Sequence, residues 1–112
     1  MAISNTRLTS TNPPTTVYSS SGNNAITTII VCNTGAVDLT DETFNASNLT
    51  LYFVPNLGSA TDGTTVVKNL TIPAGETVFF SDEKVILSNG DTIRAEPSVA
   101  DLLTVTVSSL PV

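Results

Sequence analysis

Residues 48–54 read Asn-Leu-Thr-Leu-Tyr-Phe-Val, and Pro55 stops the run. Leu49, Leu51 and Phe53 fall on one side, Thr50 and Tyr52 on the other. Strict alternation closed by a proline specifies a half-buried β-strand. Working downstream, residues 57–63 carry turn residues. Residues 64–72 (TTVVKNLTI) then place Val66, Leu70 and Ile72 on one face, with Lys68 interrupting. Pro73-Ala74-Gly75 is a turn. Short strands follow at 76–80 and 84–87, around Ser81-Asp82. Asn89-Gly90-Asp91 is a tight hairpin turn, and it leads into strands at 92–96 and 102–110, where Leu103, Val105 and Val107 are in phase.

Upstream, residues 25–33 (AITTIIVCN) are β-branched and end at Thr34-Gly35. If Ile26, Ile30 and Cys32 face a core, Ile29 and Val31 face out. Residues 37–44 read as a loop. Short strands separated by turns every 8–12 residues predict an all-β fold. The expectation is a single antiparallel β-sandwich, Ig-like or jelly-roll-like, over residues 25–112. Residues 1–24, rich in Ser, Thr and Asn around Pro13-Pro14, are expected to form an extended polar N-terminal arm, with one strand candidate at 15–20.

The expected core is Ile26, Ile30, Leu49, Leu51, Phe53, Leu70, Ile72, Val78, Phe80, Val85, Leu87, Ile93, Val105 and Val107. Apolar residues left on the wet side of a sheet point to a protein contact. The contact candidates are Arg7, Leu8, Val17 and Tyr18 on the arm, with Ile29 and Val31 on the strand.

The chain has 112 residues, enough for one domain. It carries four basic and ten acidic residues, no histidine and one cysteine, Cys32, for a net charge of -6. One cysteine excludes an internal disulfide, and without histidine there is neither an ordinary zinc site nor a Ser-His-Asp triad. The acidic balance argues against nucleic acid, which needs a basic footprint. No apolar run reaches the ~18 residues of a membrane helix, and residues 1–6 lack the pattern of a secretory signal. Only 12% of residues are charged, half the ~25% of a typical domain. Such a surface protects weakly against association and suits a protein held in an assembly.

Catalytic chemistry finds little support. Asp38, Asp41 and Glu42, and again Asp82 and Glu83, cluster in expected exposed turns, where solvated carboxylates do no acid–base work. Asp62 and Asp91 sit in turns without a calcium-loop pattern. Cys32 is expected to be a buried structural thiol. The Asn-x-Ser/Thr triplets at Asn45, Asn48 and Asn69 are chance products of the composition. No metal, cofactor or enzymatic activity is expected.

From Lys68 to Val112 the chain contains NLTIPAGETVFF, EKVILSNGDTIRAEPS and LLTVTVSSLPV. This stretch resembles small virion proteins of tailed bacteriophages. Those share an Ile-Pro-x-Gly turn, then Gly-Asp-x-Ile-x-Ala, here Gly90, Asp91, Ile93 and Ala95. A closing Thr/Val strand follows, here Val105, Thr106, Val107, Ser108 and Leu110. The strand NLTLYFVP at 48–55 also looks like one preceding a variable loop in such proteins. The resemblance covers about two-thirds of the chain and carries no catalytic residue. It implies a capsid decoration (cement) protein, made in the host cytoplasm and bound to the major capsid protein on the virion surface, with a homo-oligomer, a trimer foremost, as its form. The alternatives are a tail- or fibre-associated module or a receptor (carbohydrate)-binding head. An isolated carboxylate hydrolase using Asp41 and Glu42 stands last.

Overall fold

The computed structural model describes residues 2–81 and 84–112. Its strands are β1 (Ala2–Arg7), β2 (Thr15–Ser19), β3 (Asn24–Asn33), β4 (Ser47–Val54), β5 (Thr65–Ile72), β6 (Thr77–Phe80), β7 (Val85–Leu87), β8 (Thr92–Pro97) and β9 (Leu103–Pro111). Sheet A runs β1-β9-β3-β6, with β7 also on β3; sheet B runs β2-β8-β4-β5. Every pairing is antiparallel.

The pairings are nested. First strand pairs with last, β2 with β8, β3 with β6 and β7, and β4 with β5. The β3–β9 and β4–β8 pairs then join these ribbons into two sheets. A long hairpin rolled upon itself gives this order, the jelly-roll arrangement. An Ig-like winding is excluded, because that fold pairs its first two strands with each other. β6 and β7 share one edge of β3, β6 against residues 29–32 and β7 against 24–26.

The core lies between the sheets and is built from Leu8, Val17, Ile26, Ile29, Val31, Leu49, Leu51, Ile72, Leu87, Ile93, Ala95, Leu103, Val105 and Val107. Phe53, Val78, Phe80 and Val85 pack against it half-buried, as does Tyr18. Leu70, opposite Leu49, is also half-buried. The expected polar arm is corrected. β1 is the outer strand of sheet A, β2 the outer strand of sheet B, and Leu8 is fully buried. The chain between them returns Leu8 to β9, with Leu8 N donating to Leu103 O at 2.9 Å. Residues 2–24 are therefore part of the sandwich.

The phase of β3 is the second correction. Between Ile26 and Thr28 the register against β9 slips by one residue. The bulge is held on both sides. Thr27 Oγ1 lies 2.9 Å from Ser108 Oγ and 3.1 Å from Ser108 O, while Lys84 Nζ donates to Thr27 O at 2.9 Å. One extra residue turns every later side chain to the opposite face. Ile26 keeps its inward position, but Ile29 and Val31 enter the core, while Ile30 and Cys32 are half-exposed on the outer face. Burial of Cys32 as a core thiol is thus overturned.

This phase is measurable. Ile29→Ala is expected to cost about 2–5 kcal/mol, the range for a buried isoleucine. Ile30→Ala is expected to cost about 1 kcal/mol or less. Urea denaturation of the two variants decides it, and equal or reversed costs would refute the bulge.

Candidate contact surface

The register of sheet A fixes its outer face. Arg7, Thr104, Cys32 and Thr77 form one row across the strands, and Asn5, Thr106, Ile30 and Phe79 form the next. Ile3, Ser108 and Thr28 follow, then Leu110, Ala25 and Ile86. Ile3, Phe79 and Ile86 are 69%, 63% and 68% exposed. Among all the strands of sheet A, Arg7 is the one charged residue. Its guanidinium turns to Asp101 O at 2.7 Å.

Sheet B faces water differently. Its outer side carries Arg94, Glu96 and Lys68, with an exposed Lys68–Asp62 pair at 3.8 Å. Tyr52 lies among these groups, 9% exposed, and its hydroxyl donates to Glu96 Oε2 at 3.2 Å. Burial raises the Tyr52 pKa first, and the negative charge of Glu96 adds to it. A charged, hydrogen-bonded outer face is the ordinary solution for a sandwich in water. Sheet A departs from it: a chain of net charge -6 presents one face whose strands hold no carboxylate. No protein family, curated protein or solved structure matches the chain.

The carboxylates are occupied in turns. Asp38 Oδ1 accepts from Thr40 N at 2.9 Å and Thr40 Oγ1 at 2.7 Å, and Asp41 Oδ1 accepts in the same way from Thr43 at 3.0 and 2.7 Å. In both, the threonine hydroxyl is the chief cause of a pKa held below the ordinary carboxylate value, and the backbone N–H adds to it. These are ionised turn-formers, the opposite of a general acid. Glu42 shares a shallow recess of about 330 Å³ with them, beside Glu76 and Phe44. Asp91 closes its own turn and the neighbouring loop, accepting from Ser88 N and Asn56 N, each at 2.9 Å. Among the described residues no group of three His, Cys, Asp or Glu side chains is placed to hold a metal ion. The Asp82–Glu83 pair lies outside the described residues. Among the described residues no helix is long and apolar enough to cross a membrane.

A groove of about 320 Å³ runs along the side of the sandwich where β5 and β6–β7 are the outer strands. Leu51, Phe53, Val66 and Val67 line it from sheet B; Ile26, Ile29, Phe79, Phe80 and Val85 line it from sheet A. Through Phe79 it opens onto the carboxylate-free face.

The six expected contact residues divide sharply. Leu8, Val17, Ile29 and Val31 are core, between 0% and 3% exposed, and offer nothing to a partner. Tyr18 is half-buried against the core, because the β2 bulge at Val17 turns it inward opposite Ile93. Arg7 alone of the six lies on the carboxylate-free face. The residues that build that face, Ile3, Ile30, Phe79, Ile86 and Leu110, were legible only with the phase of β3 and the existence of β1 in hand. Phe79 is the exception, since its outward position follows from alternation with Val78 and Phe80.

Proposed function

We propose that this protein is a non-enzymatic structural component of a phage virion, a decoration protein that docks the outer face of sheet A on the capsid shell across subunit seams. The observation that carries this reading is the carboxylate-free, apolar-dotted face on an otherwise acidic molecule. A surface with so few charges has little desolvation cost when covered. The resemblance of residues 68–112 to virion accessory proteins supplies the kind of partner. On a shell, the same weak contact repeated at every symmetry-related site holds firmly through number.

Shells lacking the protein test the reading. Phe79→Asp combined with Ile86→Asp places charge on two exposed positions and is expected to leave the melting temperature within a few degrees. It is expected to weaken co-sedimentation with the shells at least about tenfold. Thr16→Asp, on the opposite face, is expected to bind as the parent does. Shells carrying the protein should withstand more urea than bare shells. Equal resistance, or binding lost only with Thr16→Asp, overturns the proposal; glycan binding by the isolated protein would replace it with the receptor-binding reading.

A further inference from the structure

The two sheets have four lateral edges, and three are blunted against pairing with another chain. β2 follows Pro14 and bulges at Val17. β5 slips register twice and turns through Asn69 at φ 51°, beside the exposed Lys68. The fourth strand position of sheet A is split into β6 and β7, of four and three residues. Short pieces, bulges, prolines and lysines are the devices that keep edges from associating. β1 has no bulge and no proline, and its one charged side chain, Arg7, stands at its last position. Its six residues, Ala2 to Arg7, run in unbroken register with β9 and contain no proline, lysine or carboxylate.

The free groups of this edge follow from its ladder. Leu8 both donates to Leu103 O and accepts from Asp101 N, so its backbone points toward β9. Antiparallel alternation then points the N–H and C=O of Ile3, Asn5 and Arg7 away from β9, along the outer edge of sheet A. They are a template for one more strand.

We infer that β1 pairs antiparallel with β1 of a second copy of this chain, about a two-fold axis at Asn5. Ile3 then lies opposite Arg7 of the partner subunit and Asn5 opposite Asn5 of the partner subunit, each pair exchanging two backbone hydrogen bonds. Charge does not oppose a second copy at this edge. β1 and β9 hold no acidic residue. Asp101, bonded through its backbone to Arg7 and Leu8, lies at one end of the strand, so the two-fold sets the nearest carboxylates of two chains of net charge -6 at opposite ends of the seam. The antiparallel sense also keeps the two Arg7 side chains about four residues apart along the strand, roughly 14 Å, beyond the ~8–10 Å screening length. A trimer would need β1 to add to one of the blunted edges; a two-fold pair does not.

Pairing of this kind leaves the outer faces of both A sheets on one side. One face covers roughly 600 Å², at ~4.8 Å between strands and ~3.3 Å per residue. That is under the ~800 Å² per partner of a standard specific interface, and the joined pair exceeds it. The pairing deepens the docking proposal but is tested in solution, where its failure is separate from failure to bind a shell.

Light scattering at concentrations up to about 500 μM suits the weak class to which so small an interface belongs. The parent is expected to approach twice its 11.7 kDa chain mass. Asn5→Pro removes an outward N–H and no β9 ladder bond, the one setting in which a sheet accepts proline. It is expected to give a folded monomer. Asn5→Ala loses the 2.6 Å bond from Thr106 Oγ1 to Asn5 Oδ1 but keeps the N–H, and should still pair. Should Asn5→Pro fail to fold, Asn5→Asp keeps the backbone and opposes two carboxylates across the axis; it is expected to dissociate the pair at least about tenfold more readily at low salt. A parent of single-chain mass throughout, a trimer mass, or a folded Asn5→Pro or Asn5→Asp variant that pairs as the parent does overturns the inference.

Discussion

Asn33→Leu is expected to remove about 3–5 kcal/mol of stability, a large part of the ~5–15 kcal/mol typical of a domain. Asn33 ends β3 with no exposed surface, among Leu103 and other core groups. Its Nδ2 donates to Ile72 O at 2.9 Å and to Asn45 O at 2.8 Å, while Oδ1 accepts from Gly35 N at 2.9 Å. Ile72 closes β5 in sheet B, so one amide ties sheet A to sheet B and to the loop between β3 and β4. Leucine matches the volume and none of the bonds. Two carbonyls and one N–H would then lack partners, at about 1–3 kcal/mol for each group that water cannot reach.

Asn33→Asp separates this account from simple packing. The carboxylate keeps the Gly35 bond but turns an acceptor toward two carbonyls, which raises its folded pKa above the ~3.9 of the unfolded chain. An acid with a raised folded pKa binds its proton more tightly when folded. Its variant is therefore expected to lose stability as pH rises from about 4 through that raised value, and to recover part of it on acidification, when the carboxylic acid donates to one carbonyl. Urea titrations at pH 5 and pH 7 read both effects. A loss below about 1 kcal/mol in Asn33→Leu would show the amide to be dispensable.

Sequence alone reached the fold class because sandwich strands announce themselves by period two and by their turns. β4, β8 and β9 alternate cleanly, and Leu49, Leu51, Ile93, Val105 and Val107 are core as alternation requires. Periodicity failed where another force decides. β1 (AISNTR) turns Ser4 and Thr6 inward opposite Val107 and Val105, and its one large apolar residue, Ile3, points out. Only pairing with β9 makes it a strand, a contact across almost the whole chain. Likewise, nothing in AITTIIVCN marks Thr27 as the extra residue of a bulge; Ser108 and Lys84, which fix it, are distant in sequence. The candidate face was therefore foreseen as a kind of surface and misassigned in its residues. A single-residue slip exchanged Ile29 and Val31 for Ile30 and Cys32.

Deletion of residues 1–19 is expected to abolish cooperative unfolding and send most of the protein into aggregates. In a disordered arm the same deletion would leave the melting temperature within a few degrees. Here it strips one outer strand from each sheet and removes Leu8 and Val17 from the core, about 1.5–3 kcal/mol apiece in buried area alone. The β1–β9 and β2–β8 ladders go with them. The larger consequence is what the deletion uncovers. β9 is nine residues long, has no charged side chain, and would become the edge of sheet A. A long, flat, uncharged, β-branched edge is a template for intermolecular pairing. Circular dichroism melting and size-exclusion chromatography of the truncated chain read both outcomes. Leu8→Ala provides the graded case, with an expected loss of about 2–5 kcal/mol and no new edge. A truncated chain that stays soluble and melts like the parent would return residues 1–19 to the status of an arm. The same nesting of strands that makes the N-terminal residues indispensable to folding leaves β1 on the outside, where its backbone is free to pair.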